Sequence, residues 1–354
     1  MEAYINGTGV VSPQNTLDPE QFLKEPVEYN TNSLRCIEPP YKDFLNPALA
    51  RRMGRIIKIS IAASTVCLRD AGITVPDAIM TGTALGCHED TEKFLLSIID
   101  NEEQFLTPTS FIQSTHNTVS AQIALQLKCM NYNFTYVHKG FSFESAVLDG
   151  LMTLEEGEAK NVLVGGHDEM TDRHFVITSR IGYWKKEAVP TTQLLHSKTE
   201  GAVSGEGAAF FVLGADRGVN CYAKLRGLRM IYKPENMQAV EKEISSLLEE
   251  KGLKADDIDL VLYGINGDVR FDDNYYDLKK SYFKNSAAGW FKHLCGEYQT
   301  SSSFAFWLAA NILKRQEIPP TVLLDEKKPA KLRHILIYNT FMNADHSVFL
   351  LSGC

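Results

Sequence analysis

The chain has 354 residues, 44% of them hydrophobic and 23% charged, the balance of an ordinary globular protein with a large core. A formal charge of −8 argues against nucleic acid as a partner, because neutralising phosphates needs a basic face, and no apolar run reaches the roughly 20 residues of a membrane helix. The seven cysteines are irregularly spaced and form no CxxC pair, which speaks against zinc and against a disulfide framework, and favours a reducing cytoplasm.

The N-terminus, MEAYINGTGVVS, has no basic segment followed by an apolar one, and AYINGTGVVS already reads as a strand. Pro13, Pro19, Pro26, Pro39, Pro40 and Pro47 then exclude a long helix from residues 13 to 50. The one basic cluster, RRMGRIIK, reads as a solvated helix end. GRIIKISIAASTVCLRDAGI predicts a buried helix closed by Gly72, and DAIMTGTALG a strand. NTVSAQIALQLK predicts a helix with Val119, Ile123, Ala124 and Leu127 on one side, followed by the strand NFTYVHK. In FESAVLDGLMTLEEG, Phe143, Ala146, Val147, Gly150, Leu151 and Leu154 recur at helical spacing up to Gly157. NVLVGG is an apolar strand of the kind buried on both faces, and GEGAAFFVLG is another strand.

The order then recurs: strand CYAKLRGLRMIY, amphipathic helix ENMQAVEKEISSLLEEKG, strand DLVLYGING, an apolar helix over 300–315, and the strands HILIYNTF and HSVFLLSG. Alternating strands and helices predict an α/β protein with two weakly duplicated halves, residues 1–215 and 216–354, around a shared central helix layer. YVHKGFSFESAV has the strand–sharp turn–helix pattern in which enzymes seat a nucleophile, yet Gly140 stands at the turn.

Five stretches, INGTGVVSP, IAASTVCLRDAGI, FESAVLDGLMTLEEGEAKNVLVGGHDE, VSGEGAAFFVLG and IPPTVLL, resemble segments of the β-ketoacyl synthases and keep that family's order. Dispersed over nearly the whole chain, they imply a thiolase-like fold in α-β-α-β-α layers. The family condenses acyl groups with a Cys-His-His set: a helix-end thiolate carries the acyl chain, two histidines assist malonyl decarboxylation, and backbone amides form an oxyanion hole. The family's cysteine precedes the paired glycines of a strand end by 25 residues, and counting back from Gly165 and Gly166 places Gly140 there. The strand-end motif of the first histidine matches VLYGING and yields Tyr263, and the second histidine, five residues after a lysine, becomes Glu297 after Lys292. The glycine-rich loop near the C-terminus is NTFMNADH, which keeps Asn339 and Phe341.

Glycine forms no thioester, a phenol with a pKa near 10 is a poor proton shuttle, and a carboxylate repels an enolate. The closest resemblance is therefore to the chain-length-factor type of subunit, which lacks the nucleophile and pairs with an active ketosynthase. It implies a cytoplasmic heterodimer serving carrier-protein-bound acyl chains in fatty acid, polyketide or aryl-polyene elongation, without metal or other cofactor. SFIQSTHNTVSAQIALQLK matches the family's interface region and offers His116, Thr118, Ser120 and Gln122; Phe141, Ser142 and Phe143 flank the vacant position, with Phe341 nearby. Two alternatives stay open: an acyltransferase with a displaced nucleophile, Ser142 or Cys295, and a homodimeric protein that binds an acyl ligand without chemistry.

Overall fold

A computed structural model describes the protein from Met1 to Cys354. Ten strands form its large sheet: β1 (Ala3–Val11), β2 (Ala78–Gly82), β3 (Tyr132–Tyr136), β4 (Asn161–Asp168), β5 (Gly207–Gly214), β6 (Ala223–Tyr232), β7 (Leu260–Tyr263), β8 (Ala287–Trp290), β9 (His334–Phe341) and β10 (Asp345–Ser352). The longer helices are α1 (Arg55–Ala71), α2 (His88–Asp100), α3 (Thr118–Leu127), α4 (Ser142–Glu155), α5 (Asp172–Arg180), α6 (Met237–Glu250), α7 (Asp273–Ser281) and α8 (Ser302–Arg315).

The strand order is β8-β7-β9-β10-β6-β1-β5-β4-β2-β3. From the middle outward, one side runs 1-5-4-2-3 and the other 6-10-9-7-8, the same permutation. Pairing directions match as well: β2 runs parallel to β3 and β4, as β7 does to β8 and β9, and the remaining pairs are antiparallel. The sides join where Ala3, Tyr4 and Ile5 of β1 face Leu225, Lys224 and Ala223 of β6.

Strand alternation assigns each side chain to a layer. Val162 and Val164 of β4, Leu260 and Leu262 of β7, and Ile335 and Ile337 of β9 point into one central core with Phe143, Val147 and Leu151 of α4 and Phe304, Trp307, Leu308 and Ile312 of α8. The intervening Leu163 packs against Ile57, Ile61 and Ala62 of α1, while Val261, Tyr263, Leu336 and Tyr338 pack against Val240, Ile244 and Leu247 of α6. Helix, sheet, helix, sheet, helix are thus the five layers. The central α8 is buried on every side from Ser302 to Leu313, and each of its large apolar side chains contributes about 1.5–3 kcal/mol of burial.

The strands and helices named from the sequence are present, and Gly72 closes α1 with φ 68° as its position predicts. Three helices and a strand escaped the reading. α2 buries only Asp90 fully and α7 only Tyr275 and Leu278, so neither carries a broad apolar stripe. α5 buries only Thr178, and β8 is the four-residue Ala-Ala-Gly-Trp, a strand through its pairing with β7 rather than by propensity. One expectation is corrected: Cys221 and Cys354 form a disulfide. Antiparallel pairing of β10 with β6 sets Ser352 opposite Lys224, which brings together two cysteines 133 positions apart.

Candidate functional site

The turn between β3 and α4 is closed by its own side chains. The Ser142 hydroxyl donates to the Lys139 carbonyl at 2.8 Å and accepts from the His138 N–H at 2.8 Å, while Lys139 takes φ 49°. Gly140, buried in this turn, donates its N–H to Asp345 Oδ2 at 3.1 Å. A Cβ at Gly140 would lie 2.7 Å from Phe341 Cβ and 2.9 Å from Asp345 Oδ2, closer than packed atoms tolerate. The β9–β10 hairpin therefore fills the space a nucleophile would need. Its turn places Met342 at φ 53° and Asn343 at φ 51°, the paired left-handed residues of a type I′ turn, so the geometry survives without glycine. Burial pushes the Asp345 carboxyl up, against the hydrogen bond from Gly140.

Glu297 stands at a second corner of the site, two residues beyond the single turn Lys292–Cys295. Its Oε1 meets Lys292 Nζ at 2.6 Å, its Oε2 accepts from Asn266 Nδ2 at 2.8 Å, and Ser301 Oγ lies 3.3 Å from Oε1. Lys292 and Glu297 are both buried, so each charge depends on the other. Asp272 accepts from the Asn266 and Gly267 N–H groups, and burial pushes its carboxyl up to about 7. The void among Asn266, Tyr275, Glu297 and Thr340 holds about 10 Å³, room for roughly one water.

Tyr263, the other position matched to a histidine, lies on the opposite face of its strand. Alternation turns it toward α6 and α7, its ring 6.3 Å from that of Tyr275, with its hydroxyl unpaired and its pKa raised mainly by burial. The side chain that reaches Glu297 from the end of β7 is Asn266. The match of the strand-end motif to VLYGING puts Tyr263 at the histidine's position, whereas strand parity turns it away from Glu297.

The two displaced-nucleophile candidates are engaged elsewhere. Ser142 is buried and closes the turn. Cys295 is buried with Sγ 3.3 Å from the Gly296 carbonyl, and burial pushes its thiol up, away from thiolate. Ser145 Oγ lies 3.3 Å from His138 Nδ1, but no carboxylate pairs with that ring. Phe141 packs edge-on to His138, and Phe143 joins Phe211, Phe306 and Phe349 in the central core. Glu144, in the first turn of α4, is fully buried with both oxygens unpaired, and burial raises it to about 7. Asp168 accepts five hydrogen bonds, from Thr83, Ala84, Leu85 and, twice, Thr300, and serves as a structural tie.

The remaining sequence candidates lie at the outer rim of the sheet. Exposed His116 covers the backbone of Gly86, Thr118 is buried beside Thr115, and Ser120 meets Thr135 Oγ1 of β3 at 2.8 Å. Gln122 is half-buried on α3. β3 is an edge strand with one side unpaired, and between it and α3 runs a groove of about 820 Å³. Leu125, Met130 and Phe134 line it with exposures of 70%, 95% and 47%. The opposite edge, β8, is wholly buried.

A family profile described as "Beta-ketoacyl synthase, N-terminal domain" matches residues 24–217. The chain belongs to the β-ketoacyl synthase family. No curated protein matches it in sequence. Among solved structures, the ishigamide ketosynthase/chain length factor superposes with a TM-score of 0.82 at 18% identity, covering 100% of this chain and 99% of the other. A β-ketoacyl synthase from Burkholderia phymatum gives 0.82 at 16% identity over the same shares. A ketosynthase (ApeO) in complex with its chain length factor (ApeC) from Xenorhabdus doucetiae gives 0.78 at 13% identity, over 99% and 98%. These likenesses establish the ketosynthase, thiolase-like fold.

Proposed function

We propose that this ketosynthase-like chain is a catalytically silent subunit of the chain-length-factor type, which pairs with an active β-ketoacyl synthase elongating acyl chains on an acyl carrier protein. The observation that carries this reading is the filled nucleophile position: Phe341 and Asp345 occupy the space beside Gly140. The buried Lys292–Glu297–Asn266 set supports it, because a carboxylate tied to an ammonium and an amide is no proton shuttle. The exposed β3 edge and its apolar groove supply a surface for a partner. We take the two halves to divide at residues 215 and 216 and to act as one scaffold. The setting we favour is polyketide or aryl-polyene elongation.

Co-expression with a ketosynthase retaining its cysteine and histidines tests this reading. The expected outcome is a stable mixed dimer in which, after incubation with acyl-carrier-protein thioesters, mass spectrometry finds the acyl group only on the partner. An adduct on Ser142, Ser145 or Cys295 would overturn it in favour of an acyltransferase. A stable homodimer that excludes the ketosynthase would overturn it in favour of a ligand-binding protein.

A further inference from the structure

A second cavity, of about 550 Å³, opens at the other end of α8. It is framed by the start of β6, the start of β9, the end of β10 and the residues that close α8. The 14-residue α8 separates it from the Glu297 corner by roughly 20 Å. Arg217, Arg226, Lys314, Lys331 and Arg333 line it beside the imidazole of His334, and no aspartate or glutamate does. This is an unusual concentration of one sign in a chain whose formal charge is −8.

Local carboxylates leave most of that charge uncompensated. Arg226 meets Glu2 at 2.8 Å, but Lys224 and Lys251 share the same carboxylate at 2.6 and 3.4 Å. Arg333 reaches Asp259 only at 3.5 Å, and Arg217, Lys314 and Lys331 have no carboxylate partner within ion-pair distance. Lys314 Nζ lies 3.6 Å over the Tyr222 ring. Burial pushes the His334 imidazole down, with Asp259 opposing the shift and Arg226 and Arg333 adding to it. The end of α8 is already capped, since Gln316 donates to the Leu313 and Leu332 carbonyls at 2.8 Å each. Lys314 Nζ also donates to the carbonyl and the side chain of Asn220, so the donors left free are those of Arg217 and Lys331, and Tyr222, Leu313 and Leu332 give the floor apolar surface. The Cys221–Cys354 disulfide fixes one rim.

We propose that this cavity is a binding site for a small, multiply phosphorylated anion, distinct from the ketosynthase-like site and independent of its function. Its volume lies within the usual range for small-ligand sites, and guanidinium and ammonium groups converging with no aspartate or glutamate side chain among them match a chain of phosphates.

Calorimetric titration of the purified protein with sodium tripolyphosphate, ATP and inorganic phosphate tests the proposal. The expected result is saturable one-site binding of tripolyphosphate, weaker binding of inorganic phosphate, and at least about a tenfold loss of affinity in the Lys314→Glu/Lys331→Glu variant. Tighter binding of ATP than of tripolyphosphate would identify a nucleoside polyphosphate using the Tyr222 surface; equal affinities would identify the bare phosphate chain. A Lys198→Glu/Lys242→Glu variant changes net charge equally on exposed residues outside the cavity. An equal loss in that variant, or no saturable binding of tripolyphosphate by the wild type, would overturn the proposal. Circular dichroism of both variants excludes misfolding as the cause of a loss.

Discussion

Gly140 is where a change of a few atoms decides what the chain can do. In Gly140→Cys the new Cβ arrives 2.7 Å from Phe341 Cβ, and the new sulfur must displace the hairpin. Overpacking of this kind costs about 1–3 kcal/mol, measurable by urea unfolding, and the variant is expected to remain unacylated by thioester substrates. Full stability together with a thioester adduct would show that the seat is open. The Lys292–Glu297 pair gives a second prediction. Lys292→Met leaves a buried carboxylate without its cation and is expected to cost about 3–5 kcal/mol, whereas Lys292→Met/Glu297→Met recovers most of the loss. A single-variant cost within about 0.5 kcal/mol would show that the ion pair does not hold this corner together. The glycine at the turn was legible because its spacing from Gly165 and Gly166 is local to one strand–helix–strand unit. Asn266 was not, because which residue leaves a strand toward a site depends on parity and the following turn. Asp345 was equally hidden, since its role rests on a contact with Gly140 across 205 residues.

Elements with a clear period were legible: the apolar α4 and α8, the alternating strands and the amphipathic α6. α2, α5 and α7 were not, because their apolar residues are only partly covered and their sequence pattern is diluted. Apolar side chains are also left uncovered at the β3 edge, where α3 and β3 expose Leu125 and Phe134 beside an unpaired backbone. An unprotected strand edge with apolar flanks is a liability in a monomer and an asset at an interface. Leu125→Glu and Phe134→Asp are accordingly expected to leave unfolding free energy within about 0.5 kcal/mol of the wild type and to abolish co-purification with a ketosynthase partner. If the partner still co-purifies with the double variant, the interface lies elsewhere on the molecule.

The two five-stranded sides share one core, and Glu144 sits where they meet. It projects from α4 toward Ser302 at the start of α8 and Ser347 of β10, whose hydroxyls also lack a partner of good geometry. Its carboxyl is raised to about 7 in the folded protein from a normal value of 4.5. Between those values the folded chain holds a proton that the unfolded chain has released, so this group makes stability fall as pH rises through that window, by about 1.4 kcal/mol per unit at full effect. Glu169, raised to about 8, and Asp272, raised to about 7, act in the same direction. His167 and His293, both held down to about 3 by burial, act in the opposite direction below the ordinary histidine value of 6.5. Glu144→Gln isolates one of these opposing groups. Its stability relative to wild type is expected to climb steadily from about pH 5 to pH 7 and then level off, as read from urea unfolding at each pH. A difference that stays flat over that range would mean Glu144 titrates normally and that the centre of the molecule admits water.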